Sequence, residues 1–242
     1  KIESPVLNAR IRKAWLNGAD IALIGAKVDL TYEYDHLGDD LATLLKLMNE
    51  NTSHWSSDQE SLIVLGQSAL TSTDGSKVLN IVKRIVENWN GKFLNLHVAA
   101  SRVGAMDLGF VSKKGFGVER NKAEVVYNLG MDEYDLNDSS FIIYQGSHGD
   151  RGANRADIIF PAACYTEESG IFVNTEGRPQ MALKANFAPG EAKENWSIIR
   201  ALAEKIGVSL QFDSLEQLRA QMTKEHPIFK NIGEIAPTKW KK

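Results

Sequence analysis

Five short apolar runs, each closed by glycine or proline, limit what this chain can fold into. Ile21–Ile24 is followed by Gly25, Leu62–Leu65 by Gly66, and Val125–Leu129 by Gly130. Phe141–Tyr144 leads to Gly146, and Asp157–Phe160 stops at Pro161. The runs hardly alternate with polar residues and are rich in Ile, Leu and Val. Strands buried on both faces, as in parallel sheets, read this way. A glycine at a strand end permits a tight turn and a close approach of backbone or ligand.

Helical spacing falls between the runs. Leu41, Leu44, Leu45 and Met48 share a face behind Asp39 and Asp40, acids that suit the start of a helix dipole. Val78, Ile81, Val82, Ile85 and Val86 form a second stripe, with Asp74 as a candidate cap. A third helix is predicted over Leu94–Met106, interrupted by Gly104. Strands alternating with helices predict an α/β fold with a doubly wound, mostly parallel sheet. Such sheets bind ligands outside the carboxyl ends of their strands, where these glycines lie.

The order changes after Phe160. Ile171–Gln180 predicts a hairpin with its turn at Glu176–Gly177, and Ala188–Pro189–Gly190 reads as a break. Trp196, Ile199, Leu202 and Ile206 space as a helix that stops at Gly207. Ser214 is expected to cap a last helix carrying Leu215, Leu218 and Met222, ended by Pro227. The expected domains are therefore a Rossmann-like α/β portion, residues 1–165, and a C-terminal hairpin and helical extension packed on it, residues 166–242. The tail from Thr238 is expected to fray.

The chain has 242 residues, enough for one large or two modest domains. A formal net charge of -3 argues against a nucleic-acid partner. No apolar run approaches the ~20 residues of a membrane span, so no direct span is expected. Cys164 is the only cysteine, which rules out an intrachain disulfide and an iron–sulfur cluster held by about four Cys ligands. The first residue is Lys1, which reads as a processed or partial chain. Asn8–Trp15 is faintly like a basic targeting peptide, but the acids Glu3 and Asp20 flanking it favour a segment of the mature body.

No phosphate loop opens at Gly25 or Gly66, and no Walker lysine motif is present. None of His36, His54, His97, His148 and His226 pairs with another at metal-ligand spacing. His148 and Asp150, after a strand end, read as a hydrogen-bonded loop pair. Asp132, Glu133, Asp135 and Asp138 lack the spacing of a calcium loop. Cys164, among small residues, reads as a mostly buried thiol rather than a nucleophile. Asn174, Glu176 and Arg178 leave two readings open. Arg178 could grip an anion bidentately beside Asn174, or the three could form a polar network local to the turn at Gly177.

Three stretches carry a family resemblance: Val6–Gly38, with ALIGAKVDLTYEYDHLGD; Phe141–Gln180, from FIIYQGSHGD to NTEGRPQ; and Trp196–Gly207, WSIIRALAEKIG. Together they resemble the molybdopterin-oxidoreductase superfamily. Within it they are most similar to the C-terminal portion of the 75 kDa iron–sulfur subunits of mitochondrial complex I, NADH:ubiquinone oxidoreductase. The resemblance implies a molybdopterin-oxidoreductase-like fold that has lost pterin chemistry. It implies no catalytic residue, metal or cofactor in this chain, with Gly146, Asn174, Glu176 and Arg178 as vestiges of a pterin site. Iron–sulfur clusters and FMN would lie elsewhere in the complex. Implied partners are the N-terminal iron–sulfur portion of the subunit and other peripheral-arm subunits. The implied location is peripheral, on the matrix side of the mitochondrial inner membrane. Two other readings stand beside it: the pterin-binding part of an active molybdenum or tungsten oxidoreductase such as a formate dehydrogenase, and an independent α/β binder of a small anion.

Overall fold

All five apolar runs become parallel strands. The computed structural model describes residues 1–49, 60–111, 123–132 and 140–235. The chain divides into two compact units, Lys1–Ala99 and Ala100–Lys242. The boundary expected at 165/166 falls inside the second.

The first unit begins with α1 (Pro5–Leu16), β1 (Ala22–Ile24), β2 (Asp35–Gly38) and α2 (Leu41–Asn49). It continues through β3 (Leu62–Leu65), α3 (Gln67–Thr71), α4 (Gly75–Asn88) and β4 (Lys92–Asn95). β1 pairs in parallel with β2, and β3 with β4. The predicted stripe on α4 is the core: Ile81, Ile85 and Trp89 are buried, and Leu41, Leu44, Leu47 and Met48 of α2 pack on them with Ile63 of β3. Asp40 starts α2 as expected, its carboxylate accepting the Thr43 N–H at 2.8 Å and hydroxyl at 2.7 Å. Asp74 occupies the N-cap position of α4 but caps nothing. Its carboxylate is drawn off by the Lys77 Nζ at 2.8 Å.

The helix expected over Leu94–Met106 is a misreading. Its first two residues belong to β4, where Leu62–Leu65 pairs in register with Lys92–Asn95. A ladder of main-chain bonds overrides the helical spacing there. Only the last turns are helical.

In the second unit, α5 (Arg102–Asp107) is followed by β5 (Val125–Leu129), β6 (Phe141–Gly146), α6 (Arg151–Arg155) and β7 (Ile158–Pro161). These strands form a parallel sheet in the order β5-β6-β7. The hairpin is β8 (Gly170–Val173) with β9 (Pro179–Ala182), antiparallel. Then come α7 (Asn195–Lys205), α8 (Leu215–Glu225) and a 3₁₀ turn, Pro227–Asn231. Ser214 caps α8 as expected, its hydroxyl accepting the Gln217 N–H. The tail expected to fray from Thr238 lies outside the described residues.

Candidate functional site

The stretch Val28–Gly38, a loop to Tyr34 that runs into β2, is bonded to itself and to α1. The Tyr34 hydroxyl donates to the Val28 carbonyl at 2.8 Å and accepts the Val28 N–H at 3.2 Å. A ring nitrogen of His36 lies 2.8 Å from the Gly25 carbonyl. From α1, Asn8 donates to the Leu30 carbonyl and accepts from the Tyr32 hydroxyl, while Arg12 donates to the Thr31 carbonyl. The Trp15 and Tyr32 rings lie 6.4 Å apart. Asn8–Trp15 is thus a helix seated on this loop.

The turn after β3 is filled from within. The Glu3 carboxylate accepts the Gln67 N–H at 2.8 Å, just beyond Gly66. A bound anion would use that main-chain donor.

Gly146 ends β6. A Cβ at this position would overlap the Tyr144 ring. The Tyr144 hydroxyl, almost wholly buried, donates to Asp150. Asp150 also caps α6, accepting the Ala153 N–H at 3.0 Å. Burial, the Asp150 hydrogen bond and the charges of Asp150 and Asp132 push the Tyr144 hydroxyl far above its ordinary range. Burial works to raise the Asp150 carboxyl. The Tyr144 hydroxyl, the Ala153 and Gly152 N–H groups and the charge of His148 together hold it below the usual carboxylate range. A ring nitrogen of His148 lies 2.9 Å from the Ser147 hydroxyl.

Next to Tyr144 is Gln145, fully buried. Its amide donates to the Asn195 side chain at 2.7 Å and carbonyl at 3.1 Å, and it accepts from the Tyr127 hydroxyl. Asn195 in turn donates its N–H and side chain to Glu168 at 2.9 and 2.7 Å. This chain ties β6 to the start of α7. Sequence reasoning missed it, although a glutamine closing the run FIIY was a signal: a polar side chain there must find buried partners.

The hairpin brings Asn174, Glu176 and Arg178 into one turn. The Asn174 side-chain oxygen accepts the Glu176 N–H at 3.0 Å and the Arg178 N–H at 2.9 Å. Gly177 takes a positive φ of 80° that its lack of a Cβ allows. Gly146 is not part of this turn; it ends a different strand. The Nε of Arg178 is buried without a hydrogen-bond partner.

The Asn174 oxygen is consumed by its own turn, the Gln67 N–H by Glu3, and the space over Gly146 by Tyr144. Among the described residues no group of three or more His, Cys, Asp or Glu could hold a metal ion. Cys164 is half-buried, its thiol 2.9 Å from the Thr166 hydroxyl. Of the acidic patch, Glu133, Asp135 and Asp138 lie outside the described residues. An open groove of about 400 Å³ runs beside the start of α7, lined by Lys184, Phe187, Lys193 and Trp196 among others. Lys184 and the Trp196 ring N–H there both bond to Glu194. No helix among the described residues is long and apolar enough to cross a membrane.

Comparison with known proteins sets this geometry in a family. The chain is 38% identical to the NADH-ubiquinone oxidoreductase 75 kDa subunit of Reclinomonas americana, over 99% of this chain and 37% of that protein. It is 40% identical to the mitochondrial NADH-ubiquinone oxidoreductase 78 kDa subunit of Neurospora crassa, over 97% of this chain and 33% of that protein. It is also 40% identical to an NADH-quinone oxidoreductase subunit of Rickettsia bellii, over 99% of this chain and 36% of that protein. The chain spans about a third of the length of these relatives. Residues 1–205 match the family described as Molybdopterin oxidoreductase, which joins the parallel α/β strands to the expected fold. By that match the chain belongs to the molybdopterin oxidoreductase family.

Proposed function

We propose that this chain is a non-catalytic, structural portion of the peripheral arm of respiratory complex I, which passes electrons from NADH to ubiquinone. The observation that carries the reading is similarity along 97–99% of the chain to NADH-ubiquinone and NADH-quinone oxidoreductase subunits. That similarity favours it over the pterin-binding part of a formate dehydrogenase. The internal use of the strand-end and hairpin donors supports a scaffold role: groups that would hold a ligand hold the chain instead.

In this reading the chain supplies no catalytic residue, metal or cofactor, and Gly146, Asn174, Glu176 and Arg178 are vestiges of a ligand site. Iron–sulfur clusters and FMN sit on other parts of the complex. Its partners are the N-terminal iron–sulfur portion of the subunit and other peripheral-arm subunits. It lies on the matrix side of the mitochondrial inner membrane, attached through those partners.

The test is a gentle isolation of the chain from its source, tagged at its C-terminus, followed by a native gel stained for NADH dehydrogenase activity. The expected result is migration in an active band of megadalton size with iron–sulfur and flavin subunits. Migration as a small inactive species, with extractable pterin or molybdenum, overturns the reading in favour of a live oxidoreductase fragment.

A further inference from the structure

The open groove beside the start of α7, about 400 Å³ in volume, is lined by both aromatic and charged side chains. Backbone bonds fix them in place. Lys193 sits in a parallel bridge with Ala162, just past the end of β7. Its N–H donates to the Pro161 carbonyl, and its own carbonyl accepts the Ala163 N–H at 2.8 Å. The loop that carries Phe187 is held by the Thr166 carbonyl, which accepts the Ala185 N–H at 2.8 Å and the Asn186 N–H at 3.2 Å. Trp196 lies in the first turn of α7, its ring N–H donating to Glu194 at 2.8 Å.

The charges of the lining are unequally committed. Glu194 is shared between the Trp196 ring and the Lys184 ammonium, 3.4 Å away. Glu167 accepts the Cys164 N–H at 3.0 Å. The Lys184 ammonium also lies 5.2 Å from the centre of the Phe187 ring. Among the described residues the Lys193 ammonium has no ion pair. An ammonium left over beside two committed carboxylates attracts an anionic group. Phe187, in the same lining, is 80% exposed. A large aromatic ring held out in water on a bonded loop marks a surface for a protein partner. A small molecule is buried over most of its surface in its pocket, which an open groove cannot do for it. A polypeptide segment needs only one of its sides covered.

We propose that this groove docks an acidic segment of a partner protein, with a carboxylate at Lys193 and an apolar side chain against Phe187. The inference goes beyond the function proposed above and does not depend on it. It names a surface and the chemistry of what binds there, whichever assembly holds the chain.

The experiment treats the tagged chain, isolated gently with the proteins bound to it, with a carbodiimide, which joins an ammonium to a carboxylate in contact with it. Mass spectrometry then reads what is joined to Lys193. An aspartate or glutamate of a partner protein, in a segment that also carries apolar residues, is expected. No linkage at Lys193, or linkage only to a carboxylate of this chain's own sequence, overturns the proposal. Lys193→Glu and Phe187→Ala sharpen it, each expected to lower co-purification of the joined protein about tenfold. Both side chains are exposed, so neither change disturbs the interior. Lys224→Glu, at an exposed position on α8, is expected to leave co-purification unchanged. Equal losses at Lys193 and Lys224 would reduce the contact to a diffuse effect of charge and overturn the proposal, as would unchanged co-purification in Lys193→Glu. The native gel is read separately. The expected linkage in a chain absent from the active band sinks the complex I role alone, and a chain in that band without the linkage sinks the docking groove alone.

Discussion

Tyr32 and Tyr34 in the first unit and Tyr127 and Tyr144 in the second all use their hydroxyls as hydrogen-bonded ties, in unlike settings. Around Val28–Gly38 the hydroxyls bond to the Val28 backbone and to Asn8 at a half-exposed loop. Around Gln145 they bond to side chains in the interior: Tyr127 to Gln145, Tyr144 to Asp150. Water can replace a partner lost from the loop. It has no easy access to the interior, so a partner lost there leaves a desolvated polar group. The number of hydrogen bonds therefore says little about what each region stands to lose.

The sharpest break of this comparison is Gln145→Leu. It keeps the volume but strands the Tyr127 hydroxyl and Asn195, and is expected to cost about 3 kcal/mol in chemical denaturation. Its counterpart in the loop, Tyr34→Phe, is expected to cost less than about 1 kcal/mol. Equal losses would mean that burial does not distinguish the two networks.

A smaller effect, with a pH signature, is expected from Asp150→Asn. The folded structure depresses the Asp150 carboxyl. Its stabilisation is therefore complete above the unfolded value of about 4 and is lost as pH falls through the lower folded value. The variant is expected to be less stable by about 1 kcal/mol near neutrality, with the gap to the parent closing in acid. A gap that stays constant down to acid unfolding would show that charge plays no part.

The smallest effect runs the other way. Thr31, a β-branched residue, has a φ of 71° in the loop. Thr31→Gly relieves that conformation, offset by glycine's greater freedom when unfolded, and is expected to raise stability by about 0.5 kcal/mol. A loss on thermal unfolding would show that the threonine side chain has a use in the loop.

The strands β1, β3, β5, β6 and β7 were legible because they are written as nearly unbroken apolar runs, and Phe141–Tyr144 reads the same in isolation as in the sheet; β2, Asp35–Gly38, carries no such run and was not legible. The end of α7 and the start of α8 were legible because both signals act locally, Gly207 through its positive φ and Ser214 through its side-chain cap. The strand at Lys92–Asn95 was not, since only its pairing with Leu62–Leu65 distinguishes it from the start of a helix. For the site, the sequence marked the turn at Asn174–Arg178 and the glycine at Gly146. It could not show that Asn174 closes on its own turn. Nor could it show that Glu3 reaches a main-chain donor 64 positions away, because that contact exists only once the fold has formed.

The contact of Glu3 with Gln67 can be restated as a matter of concentration. A carboxylate carried on the same chain faces its N–H partner at an effective concentration set by the tether, of order millimolar or above. Free anions in solution compete against that standing excess, and they must also displace a group that cannot diffuse away. A turn built this way is in effect permanently ligated. Its partner is supplied by the chain itself rather than drawn from solution.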